Sequence, residues 1–146
     1  MPGPARFGIA LATALAAAAL AACSGDSADS ADSPQTVTLK MTDQLRFEPG
    51  EIRVKAGQLV EMKIDNSKGG VLHDFAVDKI PVGSVHHEAG AAHNMQGADP
   101  DLHLAVGAKK RGMLEFTPLE PGEYEFHCTV LGHAQAGMRG TIIVEA

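Results

Sequence analysis

Three side chains that bind soft metal ions follow one another at equal spacing near the end of this 146-residue chain. Cys128, His133 and Met138 stand five residues apart and offer a thiol, an imidazole and a thioether. Thiolate and thioether favour Cu(I), imidazole suits Cu(II), and a plane of two histidines and one cysteine with a weak axial methionine accommodates both. The pattern therefore indicates a redox-active copper site.

The trigonal plane needs a second imidazole from elsewhere in the chain. His73 is the natural source, because it begins a short segment that resembles a buried strand. Zinc is the main competitor for cysteine and histidine, but structural zinc normally takes four such ligands and does not use a thioether. We therefore predict that one copper ion is held by His73, Cys128, His133 and Met138.

The elements that must position these ligands are β-strands. From residue 36 to residue 146, short alternating or β-branched runs are broken by Gly and Pro, without a sustained helical period. Several short strands at this spacing suggest an all-β sandwich. The exception is the segment 79–110, which is long for an unstructured connection and is interpreted as a His-rich insertion that carries function or a short helix. The predicted strands are 37–41, 51–55, 59–66, 73–78, 112–116, 122–128 and 140–144.

Several motifs around these strands resemble those of one known family. Pro121-Gly122 opens the approach to Cys128, Gly132 precedes His133, and Gly137-Met138 leads into the last strand. Phe47-Glu-Pro49 and the stretch from Ile52 to Gly57 resemble the N-terminal strands of the same family. The family is the cupredoxins, the small blue copper proteins such as plastocyanin, azurin and auracyanin, and the ligand spacing is similar to that of auracyanin-like members.

The resemblance implies a Greek-key β-sandwich of seven to eight strands and one type 1 copper. It also implies a one-electron carrier that cycles between Cu(I) and Cu(II) and is not itself an enzyme. Asp74 and Thr129 then correspond to residues that link the two ligand-bearing segments by hydrogen bonds, and such contacts tune a metal site. Many relatives have Asn at the position of Asp74, and we expect a carboxylate there to lower the reduction potential.

The N-terminus has the features of an export signal. Arg6 precedes an apolar, alanine-rich stretch that is too short for a comfortable membrane span, and Leu20-Ala-Ala-Cys23 resembles the lipobox of bacterial lipoproteins. The alternative is an ordinary secretory signal with a stray cysteine. We expect an extracytoplasmic, membrane-anchored lipoprotein, in the periplasm or on the outer face of the cell membrane. Its predicted parts are a signal peptide (1–22), the lipidated Cys23 with a flexible acidic linker (23–35), and the cupredoxin domain (36–146).

Lipidation of Cys23 would leave Cys128 without a partner for an internal disulfide. A free thiol outside the cytoplasm is readily oxidised unless it is buried or held as a metal thiolate. The cysteine count therefore favours the copper interpretation.

Further histidine and methionine side chains are candidate ligands of a second metal ion, because histidine-rich tracts commonly bind metals. Side chains alternate along a strand, so His127 points away from Cys128. In copper oxidases and nitrite reductases, the residue next to the corresponding cysteine binds a second copper centre. The alternatives are copper delivery or sensing by the insertion, an enzyme that uses His127, or polar surface histidines without a metal. The candidates are His86, His87, His93, Met95, His103 and His127.

The predicted partners are redox proteins and a membrane. A net charge of −6 and few aromatic residues argue against nucleic acid. The basic run from Lys109 to Arg111 is typical of a solvated turn and only occasionally of a docking patch, and we assign it no role. Val130, Leu131, Ala134 and Ala136 surround His133 with apolar groups, which either pack beneath the copper or form a docking surface for an electron donor and acceptor.

Overall fold

A computed structural model of the chain describes residues 1, 3, 33–88, 90 and 99–146. Among these residues there is no helix, and so none that could span a bilayer. Ten strands form two five-stranded sheets. The strands are β1 (Gln35–Thr42), β2 (Arg46–Glu48), β3 (Glu51–Lys55), β4 (Val60–Asp65), β5 (His73–Val77), β6 (Val82–Glu88), β7 (Leu102–Val106), β8 (Arg111–Pro118), β9 (Gly122–His127) and β10 (Arg139–Glu145).

The two sheets enclose one apolar core. Sheet one has the order β2-β1-β4-β8-β6 and sheet two the order β3-β10-β9-β5-β7. Inward-facing residues alternate with exposed ones, as in β3, where only Ile52 and Val54 are buried. Phe126 lies at the centre of an aromatic cluster, with ring centroids 5.0 Å from Phe47 and 5.2 Å from Phe75. The predicted all-β sandwich is confirmed.

Sheet two places the candidate ligands at one end of the sandwich. β9 and β10 are antiparallel neighbours, so residues 128–138 form the loop that joins them. β5 lies on the other side of β9, and Ala76 is paired with His127. Residues that follow His127 therefore run alongside the first residues of β5, next to His73. We call this end of the molecule the copper end.

The described part of the segment 79–110 contains two strands, β6 and β7. With β2 they bring the described strands to ten, where seven to eight were expected. β6 lies at the edge of sheet one, and its register is irregular between Val82 and Val85. Because of this irregularity, the sequence of β6 does not alternate regularly between apolar and polar residues. β7 is only five residues long and carries a histidine among apolar residues. β2 spans three residues, too few to show an alternation.

Candidate copper centre

Backbone hydrogen bonds hold the loop 128–138 in a compact form. Cys128 N donates to Met138 O at 3.1 Å, and Met138 N donates to His133 O at 3.0 Å. Gly132 and Gly137, which precede His133 and Met138, have φ angles of 86° and 101°. Glycine adopts this region readily, whereas residues with a Cβ rarely do. The two glycines therefore orient the two residues that follow them.

Three of the predicted ligands converge. His73 begins β5 and is fully buried, as is Cys128, while His133 is partly exposed. His73 Nδ1 lies 3.2 Å from His133 Nδ1, and Cys128 Sγ lies 3.4 Å from the same nitrogen. Within the described parts of the chain, these three residues are the one group of metal-binding His, Cys, Asp or Glu side chains whose ligand atoms lie within 4.8 Å of one another.

These distances fit a single metal ion. Nitrogen atoms bonded at about 2.0 Å and a sulfur atom bonded at about 2.3 Å stand roughly 3 to 4 Å apart around a small divalent ion. Two imidazole nitrogens and one thiolate are the in-plane donors that copper takes in electron-transfer sites. Met138 follows on the same loop, and its side chain is fully buried. The residues present therefore fit copper.

Burial sets the protonation of the ligands. Burial lowers the pKa of His73, and the nearby His133 lowers it further, so this imidazole is neutral and able to bind a metal at pH 7. Burial raises the pKa of the Cys128 thiol to about 12. The sulfur accepts a hydrogen bond of 3.5 Å from Asp74 N. Without a metal the group is a thiol, and metal binding must displace its proton.

Asp74 links the two ligand-bearing segments, as the resemblance implied. Its carboxylate accepts a hydrogen bond of 2.6 Å from Thr129 N and another from the Thr129 hydroxyl. Burial by itself raises the pKa of Asp74, but hydrogen bonds from His103, Thr129 and Cys128 outweigh it and lower the pKa to about 2. A fully buried, ionised carboxylate therefore joins the segment that carries His73 to the segment that carries Cys128.

His103 is one of the residues that hold Asp74 in place. Its Nε2 lies 3.0 Å from Asp74 Oδ2, because Ala105 and His103 on β7 are paired with Asp74 and Ala76 on β5. The sequence suggested His103 only as a possible second-metal ligand. No local signal relates it to Asp74, since 29 residues separate the two.

Two arginines brace the ligand loop, and sequence reasoning missed both. Arg46 Nη1 donates to Ala136 O at 2.7 Å and to Leu45 O at 2.8 Å. Arg139 Nε donates to Ala134 O at 3.1 Å, and its guanidinium pairs with Glu125. Arg139 could have been suspected from its place after Met138. Arg46 is 90 residues from its partner Ala136, and no pattern in the sequence relates them.

The candidates for a second metal ion are not brought together in the described parts of the chain. His86 and His87 are exposed on β6, where neighbouring side chains point to opposite faces. The ring of His127 lies on the outer face of sheet two, 3.8 Å from Asp78. His93, Met95 and the candidate lipidation site Cys23 lie outside the described residues.

A family model described as "Cupredoxin-like domain" matches residues 11–144. A relative described as "Copper-resistant cuproprotein CopI", from Rubrivivax gelatinosus, is 35% identical over 112 residues. That alignment covers 75% of this chain and 66% of the relative, so the chain spans slightly less than two thirds of the relative's length.

Two solved structures share the fold at lower identity. Auracyanin A, a blue copper protein from Chloroflexus aurantiacus, superimposes with a TM-score of 0.59 and 18% identity, covering 77% of this chain and 100% of that one. The McoA multicopper oxidase from Aquifex aeolicus has a TM-score of 0.57 and 16% identity, covering 79% of this chain and 30% of the oxidase. The site geometry and the family match together support copper as the cofactor. The chain belongs to the cupredoxin-like domain family.

Proposed function

We propose that this protein is an extracytoplasmic one-electron carrier with a single type 1 copper. The observation that carries the proposal is the convergence of one thiol and two imidazole nitrogens at distances of 3.2 and 3.4 Å. His73, Cys128, His133 and Met138 would hold the ion. Bound copper supplies a one-electron couple between Cu(I) and Cu(II).

The surroundings of these residues hold them in place, as is needed if the copper ion is to change between Cu(I) and Cu(II) without movement of its ligands. The loop 128–138 is held by its own backbone hydrogen bonds, and Asp74 joins it to β5 through Thr129. His73 and Cys128 are fully buried, so water is kept from that side of the site. His133 is partly exposed, and Leu131, two residues before it in the loop, is 95% exposed. We propose that electron donors and acceptors dock at this apolar edge near His133.

Voltammetry of the copper-loaded chain tests the carrier function. We expect a reversible one-electron wave, with no consumption of oxygen or nitrite when these are supplied in excess. Steady turnover of either substrate would contradict the proposal and support an enzyme with a second copper near His127. A wave that is lost on reoxidation would also contradict it, because a carrier must cycle.

A second function is favoured by the relative CopI, whose name describes a copper-resistant cuproprotein. In that case the protein would hold or hand on copper under copper stress, and the His-rich segment 86–103 would take part. Copper transfer to a chelator separates the two functions. A carrier should retain its ion for many redox cycles, whereas a delivery protein should release Cu(I) rapidly to an acceptor of moderate affinity.

The membrane anchor is proposed from the sequence alone. We propose that residues 1–22 are removed, that Cys23 is lipidated, and that residues 23–35 tether the domain. Cys23→Ala should release the protein from membranes of the producing cell, while Cys128→Ala at the other cysteine should leave it bound. Membrane retention of the Cys23→Ala protein would contradict lipidation.

A further inference from the structure

The basic run from Lys109 to Arg111 lies at the copper end. β4 and β8 are antiparallel, and Arg111 at the start of β8 is paired with Asp65 at the end of β4. The run therefore lies beside the loop 66–72, which follows β4 and leads into His73. Lys68 on that loop is also exposed. We call Lys68, Lys109, Lys110 and Arg111 the basic rim.

Backbone contacts fix the basic rim in place. Lys109 N donates to Gly69 O at 3.2 Å, and Asn66 N donates to Lys110 O at 3.0 Å. Lys109 has a φ of 61°, in the left-handed region that residues with a Cβ seldom occupy. Its ammonium group reaches back to Lys68 O at 3.0 Å. The cations therefore belong to the same small unit of structure as the loop that positions His73.

The charge of the rim is mostly unneutralised. Arg111 pairs with Asp65 at 3.2 Å. In the described ranges no carboxylate lies within 4.0 Å of the ammonium groups of Lys68, Lys109 or Lys110, whereas Lys63 and Lys79 each pair with one. The chain as a whole carries a net charge of −6. Asp43 also lies at this loop, since its carboxylate accepts a hydrogen bond of 2.8 Å from Gly70 N. Four cations thus stand beside two carboxylates, Asp43 and Asp65, and a net positive area lies on the loop that leads to His73 of an acidic protein.

We infer that the basic rim is the electrostatic docking site for a redox protein with an acidic surface. This inference rests on the proposed carrier function and adds the charge of the partner to it. Val71 is 49% exposed and lies in the chain between Lys68 and His73, so apolar and cationic groups are adjacent. Complementary charge raises the rate of encounter and fixes orientation more than it raises affinity. The rim would hold an acidic partner with its own redox centre towards His73 and His133.

Electron exchange with small charged complexes tests this inference, because the rate should change with ionic strength in opposite directions if the basic rim or the net charge of the protein controls it. The rate at which hexacyanoferrate(III), an anion, oxidises the Cu(I)-loaded chain to the Cu(II) form is measured at increasing ionic strength. A protein that acted through its net charge of −6 would repel the anion, and the rate would rise as salt screens the repulsion. The basic rim predicts the opposite, a rate that falls with salt. The cationic tris(phenanthroline)cobalt(III) complex should show the reverse trend.

Reversing the charge of two residues of the basic rim tests whether they cause this salt dependence. Lys109→Glu with Lys110→Glu should lower the hexacyanoferrate rate at low salt by about tenfold, since electrostatic steering is worth at least that much. The matched control, Lys55→Glu with Lys63→Glu, makes the same change in net charge on β3 and β4 and should change the rate less than twofold.

Three results would overturn the inference. They are a rate that rises with salt, equal losses in the two double variants, or an unchanged rate in the rim variant. An unchanged rate together with loss of binding to vesicles of anionic lipid would assign the rim to the membrane surface. Failure of the carrier function itself looks different, because the wild-type chain would then give an irreversible voltammetric wave or turn over oxygen or nitrite, whatever the salt dependence of the probe rates.

Discussion

His73 and His133 bring their Nδ1 atoms to 3.2 Å from each other, whereas His86 and His87 lie exposed on an edge strand. The first pair is placed by strand β5 and by a loop with two left-handed glycines, and Cys128 lies beside it. The second pair alternates across β6, and no third ligand joins it within the described ranges. Convergence of donors from separate elements, and not local histidine density, marks the copper centre.

The largest expected difference between the two regions is in copper affinity. Cys128→Ser should weaken Cu(II) binding at least about a hundredfold, because it replaces a thiolate ligand in a buried site. His86→Gln with His87→Gln should change the affinity less than twofold. Competition with a chelator of known affinity measures both. A large loss in the His86/His87 variant would show that the His-rich segment binds the ion.

The pH dependence of copper binding should also separate the regions. The pKa of the Cys128 thiol is raised to about 12, so the proton is bound at neutral pH and must leave when copper enters. The pKa of His73 is lowered, so this ring releases no proton above pH 7. Apparent affinity should therefore rise about tenfold per pH unit between pH 7 and pH 9. In Cys128→Ser the slope should vanish, and a flat profile in the wild-type chain would contradict the ligand assignment.

The buried carboxylate should shift the reduction potential. Asp74→Asn removes a negative charge next to two ligands and keeps a side chain that can accept hydrogen bonds from Thr129. A nearby charge at this depth is worth about 1–2 kcal/mol, so the potential should rise by roughly 40–90 mV. Asp78→Asn on the same segment is the control, since the Asp78 side chain is 65% exposed. Equal potentials in wild type and Asp74→Asn would exclude an electrostatic role.

Removing the hydrogen bond from Arg46 to the ligand loop should have the smallest effect of these changes. Arg46→Gln removes the hydrogen bond to Ala136 O, so we expect copper to be released about fivefold faster by a chelator. Arg53→Gln, at an exposed arginine paired with Glu51 and Glu145, should leave the release rate unchanged. Equal release from both variants would show that Arg46 does not stabilise the loop.

The ligands could be predicted because their chemistry is local in the sequence. Cys128, His133 and Met138 lie on one loop, and the glycines before the last two are visible in the sequence. His73 was predicted from its place at the start of a segment that resembles a buried strand, which is a weaker signal because the sequence does not show that this strand lies beside the ligand loop. Long-range contacts could not be predicted, since Arg46 reaches Ala136 and His103 reaches Asp74 only through sheet pairing. The strands β6 and β7 were hidden because an edge strand with a bulge and a short strand with a central histidine lack clear alternation.

The central claim is that one copper ion is bound to the Cys128 thiolate between His73 and His133. Copper content and the visible spectrum of the Cu(II)-loaded full-length chain test it together. We predict one copper per chain and an intense absorption from thiolate-to-copper charge transfer, which disappears in Cys128→Ser. A colourless copper complex, or colour that persists in Cys128→Ser, would contradict the account.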